Sequence, residues 1–257
     1  MPEIHVFETM GTVVSLRVDD EMDAASLRRS FVAVEQVFAT LNERFSLYRD
    51  DSEISLIARG ELRLADSSEE MREAYAQAIS WRDQTGGAFS PDRPDGVLDL
   101  SGTIKAVAIG QAADALREAG ASNFSVNAGG DILISGHDEL SGDTAEPSWT
   151  MGIVDPEDRT QMLTAVRLTP ALPAMATSGS AERGEHIWTK PGTDAVFRQV
   201  SVLAPDILMA DVLATAIVAG GHAQMAHAVQ NYPVAVFAID RVGEFFANSV
   251  FESALAN

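Results

Sequence analysis

An α+β fold is predicted for this 257-residue chain by three observations. Strands and helices alternate too irregularly for a doubly wound parallel sheet, hairpin signals recur, and 46% apolar residues suffice for a sizeable core. The expected architecture is a single compact domain, residues 1–257, of two intertwined α/β halves with a cleft between them.

Residues 3–18 are rich in Val, Phe, Thr and Ile and are interrupted by Met10-Gly11-Thr12. That pattern predicts a strand or hairpin with one backbone position needing Gly. Leu27, Phe31, Val34, Phe38, Leu41 and Phe45 then step by four and three, one stripe of a long helix facing a core. A second helix is expected from Ser67, with Glu70 completing a capping box. It would bury Met71, Ala74, Tyr75, Ala78 and Trp81 and stop at Thr85-Gly86-Gly87.

From Leu98 the chain reads as a strand, a tight turn at Ser101-Gly102, and a helix with Ile104, Ala108, Ala112 and Leu116 on one side. Residues 123–135 read as strand, Gly129-Gly130 turn and strand. Residues 136–148 are expected to form an exposed loop, and strands resume at 149–154 and 163–168. Ala176-Thr177-Ser178-Gly179-Ser180 reads as a small-residue loop. After residue 200 the expectation is a strand, helices 207–219 and 222–230, a strand 233–239 and a last strand near 243–248.

Composition removes several functions. The formal charge is −20, with acidic residues spread along the chain, so nucleic acid is not an expected partner: polyanion binding needs basic clusters that release counterions. A polyphosphate would likewise meet an unfavourable field and need local cations, for which a divalent metal is one solution. The absence of Cys excludes disulfides, thiolate metal sites and cysteine nucleophiles. The first twenty residues lack a basic region followed by an apolar run, and no apolar stretch reads as long enough to span a bilayer. A cytoplasmic protein without membrane insertion is expected.

Some polar residues stand where burial makes them costly. Residues 208–219 are apolar on nearly every face, with Asp211 their only charge, so Asp211 must be protonated, paired or bound to a cation. Thr215 lies one turn on, on the same face. A carboxylate and a hydroxyl offer magnesium hard oxygen donors, while capping or pairing with an Arg would equally account for Asp211.

Lys105 is the only cation in an apolar helix start and can bind a phosphate or carboxylate, or reach solvent along its stem. Asp99 interrupts Leu98 and Leu100 just before the Ser101-Gly102-Thr103 turn, whose helix N-terminus favours anions. Thr177 and Ser178 offer hydroxyls to phosphate or ribose, or simply form a turn. His186 is a candidate base or phosphate contact, with a structural role the alternative. Tyr48 can stack on a ligand ring or pack into the core at the end of its helix.

In chain order these pieces resemble the ApbE-type flavin transferases, the FAD:protein FMN transferases, from about residue 7 to residue 240. The resemblance rests on Met10-Gly11-Thr12, Ser46-Leu47-Tyr48-Arg49-Asp50-Asp51-Ser52-Glu53, Gly87-Ala88-Phe89 and Asp99-Leu100-Ser101-Gly102-Thr103-Ile104-Lys105. Further on it rests on Asn127-Ala128-Gly129-Gly130-Asp131, Thr177-Ser178-Gly179, His186-Ile187 and Ala210-Asp211-Val212-Leu213-Ala214-Thr215.

The resemblance implies magnesium held by Asp211, Thr215 and a backbone oxygen of Gly102, and FAD contacts at Met10, Tyr48, Ala88, Phe89, Ser90, Asp99, Lys105 and Ile187. It implies cleavage of FAD, transfer of FMN to a Thr of a target flavoprotein and release of AMP. His186 is then the proton acceptor or positioning group, and Lys105 offsets phosphate charge. The chain departs from the family at Ser90, where Asp is frequent, at Ala106 in place of Gly, and at Trp188-Thr189-Lys190-Pro191, where Asp-Pro is frequent. Some family members hydrolyse FAD instead, so the resemblance leaves FAD hydrolysis to FMN and AMP as one alternative; Ser90 and the altered segment after Ile187 motivate another, FAD binding without turnover.

Overall fold

The structure, a computed structural model, describes residues 2–138, 148–158, 160–179 and 196–256. The chain opens with the hairpin β1 (Glu3–Thr9) and β2 (Thr12–Val18), paired in register from Glu3↔Val18 to Thr9↔Thr12. Two turn residues, rather than one, take the left-handed conformation: Met10 at φ 49° and Gly11 at φ 67°. A two-residue turn of type I′ needs both, and its twist matches the flanking strands.

Helix α1 (Ala24–Phe45) starts at Asp23, whose carboxylate accepts from the Ala25 and Ser26 amides. It buries the expected stripe, Phe31 only partly. A short helix α2 (Glu53–Ala58), unforeseen in the sequence, follows Ser52 as its cap. Helix α3 (Glu69–Gln84) is capped by Ser68, one residue later than expected. The Ser67 hydroxyl instead donates to the Leu64 carbonyl. Glu53 takes the part expected of Glu70, accepting from both the amide and the hydroxyl of Ser68.

Helix α4 (Ser101–Glu118) contains the Ser101-Gly102 pair in its first turn, so no separate turn exists there, and the strand expected at Leu98 is only an isolated bridge to Asp92. Strands β3 (Phe124–Ala128) and β4 (Asp131–Ser135) flank the expected diglycine turn. The exposed loop expected at 136–148 lies partly outside the described residues, and its flanks Asp138 and Ser148 are buried. Strands β5 (Trp149–Val154) and β6 (Met162–Leu168) form a separate hairpin.

Residues 176–179 of the expected small-residue loop instead belong to β7 (Ala174–Gly179), paired with β4 and with β8 (Phe197–Ala204), while Ser180 lies outside the described residues. Their small size reflects close packing: Ala174 and Ala176 are fully buried in the same core as Ala210 and Ala214 of α5. Helix α5 (Ile207–Asn231) merges the two expected helices across a kink at Gly221, φ 63° and ψ −150°. Strand β9 (Ala235–Asp240), strand β10 (Phe245–Ala247) and a second unforeseen helix, α6 (Ser249–Ala254), follow.

Eight strands make one antiparallel sheet in the order β1-β2-β3-β4-β7-β8-β9-β10. One face carries α1, α4 and α5, with Phe38, Ile109, Leu116, Leu213 and Ile217 in that core. The other packs Ile134, Met175, Leu203 and Phe237 against Trp149 and Val166 of the β5–β6 hairpin and Phe251 of α6. This is the mixed helix and sheet fold expected. Contrary to the expectation from sequence, α5 is long and apolar enough to cross a bilayer by length and composition. Its apolar faces are instead buried against the sheet and α4, which accounts for its hydropathy without lipid.

Candidate active site

A cavity of about 770 Å³ opens where the β1–β2 turn, the end of α1, the segment after α3, the start of α4, the end of β7 and the first turns of α5 converge. That volume suits a ligand of cofactor size. Of the residues singled out in the sequence, Met10, Tyr48, Ala88, Phe89, Ser90, Asp99, Gly102, Lys105, Thr177, Ser178, Asp211 and Thr215 all line it. His186, Ile187 and the Trp188–Pro191 departure lie outside the described residues.

The local structure explains each placement. The positive φ of Met10 turns the hairpin tip into the cavity wall. Tyr48 is 89% exposed, which overturns packing into the core and leaves its ring at the cavity lip. The segment carrying it is folded back by Ser52, whose hydroxyl donates to the Ser46 carbonyl at 2.7 Å. Phe89 is buried, and its ring lies so close to Gly102 that an added Cβ there would come within 3.0 Å. Asp99 accepts from the Ser101 amide at 2.9 Å, organising the entry to α4. Ala106 is fully buried in α4, so that departure from the family is absorbed in the core.

The polar corner is built from two elements. Asp211 is 5% exposed on the otherwise apolar α5, and Thr215 follows one turn later. The Thr215 and Ser178 hydroxyls share a hydrogen bond at 3.1 Å, joining α5 to β7. Just behind them, Thr177 and Ser201 share another at 2.8 Å. Among the described residues no group of three or more His, Cys, Asp or Glu gathers to hold a metal. One carboxylate with a hydroxyl is nonetheless a donor set suited to magnesium, which keeps several waters and binds through one or two carboxylates plus substrate phosphates.

Three cations line the cavity among the described residues: Arg49, Arg93 and Lys105. Arg49 pairs with Asp51 at 3.1 Å and Arg93 with Asp95 at 2.8 Å. The Lys105 ammonium pairs with Asp131, the first residue of β4. Arg49 stands within the Ser46–Glu53 motif and Arg93 within none, and nothing local marks either as lining a cavity. Asp131 was recognised only as part of a motif, because its partner lies on a different element.

The profile of the ApbE family matches residues 10–93 and 91–239. No curated protein matches the chain. Among solved structures, the ApbE protein of Thermotoga maritima superposes with a TM-score of 0.83 at 19% identity, covering 100% of both chains. The flavin transferase ApbE of Vibrio cholerae superposes with a TM-score of 0.74 at 22% identity, covering 99% of this chain and 100% of its own. The apo form of the Pseudomonas stutzeri flavinyl transferase ApbE gives 0.77 at 19% identity, covering 100% and 98%. At these identities the superpositions speak for the fold.

Proposed function

This chain belongs to the ApbE family, and from that premise we propose that it is a magnesium-dependent FAD:protein FMN transferase. It cleaves FAD, attaches FMN through a phosphoester to a Thr of a target flavoprotein, and releases AMP. The observation that carries this reading is the convergence of twelve residues from six segments on one cavity, with the Asp211–Thr215 corner in its wall.

In the proposed reaction the acceptor Thr oxygen attacks the FMN phosphorus as the bond to the AMP oxygen breaks. His186 takes the hydroxyl proton or orients that hydroxyl. Asp211, Thr215 and the Gly102 carbonyl would hold magnesium, which when bound neutralises pyrophosphate oxygens and stabilises the charge left on AMP. Tyr48 and Met10 at the lip, and Ala88, Phe89, Ser90, Asp99 and Ile187, contact FAD, while Thr177 and Ser178 offer hydroxyls to its phosphates or ribose. Lys105 faces the phosphates.

The test is incubation with FAD, magnesium and a protein carrying an acceptor Thr. Covalent flavin fluorescence on a denaturing gel, with equimolar AMP, is the expected result, and Asp211→Ala should abolish it. Equal labelling by wild type and Asp211→Ala would overturn the metal assignment. Release of AMP without any acceptor would favour hydrolysis, and FAD retention with no AMP would favour binding alone.

A further inference from the structure

We propose that Asp131 is a positioning residue that acts through Lys105, holding the ammonium at the cavity wall where it meets the FAD pyrophosphate. The inference rests on the reading of the cavity as an FAD site. Asp131 is 1% exposed and Lys105 13%, so the pair is formed almost wholly out of water. One Asp131 oxygen pairs with the Lys105 ammonium, and the other accepts from the Thr177 amide at 3.0 Å. A single carboxylate therefore ties β4 to α4 and to β7, two walls of the cavity.

The chemistry of the lysine gives this arrangement its meaning. An ammonium on a four-carbon stem is a mobile point charge with three donors. Pairing with a fixed carboxylate gives that ammonium a defined place, and Lys105 itself lines the cavity. Asp131 does not line the cavity and has no direct access to a ligand there. As a mere background charge, it would weaken binding of an anion. As a positioning group, it lowers the cost of reaching the correct geometry in the transition state, where small misplacements are expensive.

The two roles predict opposite results for Asp131→Asn, which keeps an oxygen for the Thr177 amide and removes the charge. Positioning predicts a fall in kcat for AMP release on the order of tenfold or more, with FAD affinity unchanged or slightly tighter. The decisive measurement is a double-mutant cycle with Lys105→Met, reading kcat by AMP release and the FAD dissociation constant by fluorescence quenching. The effect of Asp131→Asn should shrink to under about twofold once Lys105 is Met, because nothing is left to position.

A wild-type kcat in Asp131→Asn would overturn the inference, as would an equal loss in both backgrounds. Should Asp131→Asn fail to fold, Lys105→Met/Asp131→Asn leaves no uncompensated buried charge. That double variant should then match Lys105→Met in kcat, and a further tenfold loss would refute the coupling. Wild-type protein that binds no FAD would sink the functional reading and the inference with it; wild type that binds FAD with an uncoupled cycle would sink the inference alone.

Discussion

Replacing Thr215 by Val separates what its hydroxyl does for the fold from what it does for a metal. Val keeps the β-branch and nearly the volume, so helix packing around the half-buried position changes little. The structural loss is the 3.1 Å hydrogen bond to Ser178. A neutral bond of that kind has a net worth of about 0.5–1.5 kcal/mol, so urea unfolding should show a loss of that size. If the hydroxyl is also a magnesium ligand, the magnesium needed for half-maximal FAD quenching should rise tenfold or more, about 1.4 kcal/mol or above. Ser201→Ala is the control, because Ser201 makes a similar bond to Thr177 but is fully buried behind the wall. It should lose comparable stability while keeping the wild-type magnesium requirement. A Thr215→Val protein with unchanged magnesium dependence, or a Ser201→Ala protein with an equal shift, would refute the assignment of the hydroxyl to the metal.

Two further outcomes test the fold that carries the site. Gly221→Ala should destabilise by about 1–3 kcal/mol in denaturant unfolding, since φ 63° and ψ −150° at the α5 kink suit Gly almost alone; wild-type stability would show that the kink can relax. At Asp23 the hydrogen bond with Ser26, aided by the Ser26 and Ala25 amides, holds the carboxyl below its ordinary range. A depressed folded value means that the stabilisation is complete above the ordinary carboxylate range and is lost as pH falls through the depressed one. The stability advantage of wild type over Asp23→Asn should therefore shrink on acidification, and a gap that widens would contradict the sign.

What was legible in the sequence follows physical range. The α1 stripe from Leu27 to Phe45 was readable because a helical period sustained over six apolar residues has no competing interpretation. Helices α2 and α6, six residues each, are too short to show a period. The α3 cap was displaced by one residue because Glu53, fifteen positions upstream, secures Ser68, a choice that local spacing cannot reveal. Strand β7 reads as a loop in the sequence because small residues serve equally as turn formers and as flat surface under a close helix; the pairing with β4 and β8 and the burial of Ala176 decide between them. Asp211 stood out as a lone charge in an apolar helix, whereas the partnership of Lys105 with Asp131 joins two elements and became visible only in three dimensions.

The charge of the cavity bears on how a polyanion is held there. The chain carries −20 overall, and each cation lining the cavity among the described residues is matched to a carboxylate: Arg49 to Asp51, Arg93 to Asp95, Lys105 to Asp131. Asp99 and Asp211 line the same cavity. Cations already paired supply direction and hydrogen bonds to a pyrophosphate but little net potential, so a diphosphate entering this cavity still needs positive charge from elsewhere. A divalent ion meeting Asp211 would supply it. Affinity for FAD should therefore fall steeply on chelation of magnesium, and more steeply than it falls in Lys105→Met, where one already paired cation is lost. Fluorescence titrations with and without chelator make that comparison directly, and a chelator-insensitive affinity would mean that the paired side chains suffice.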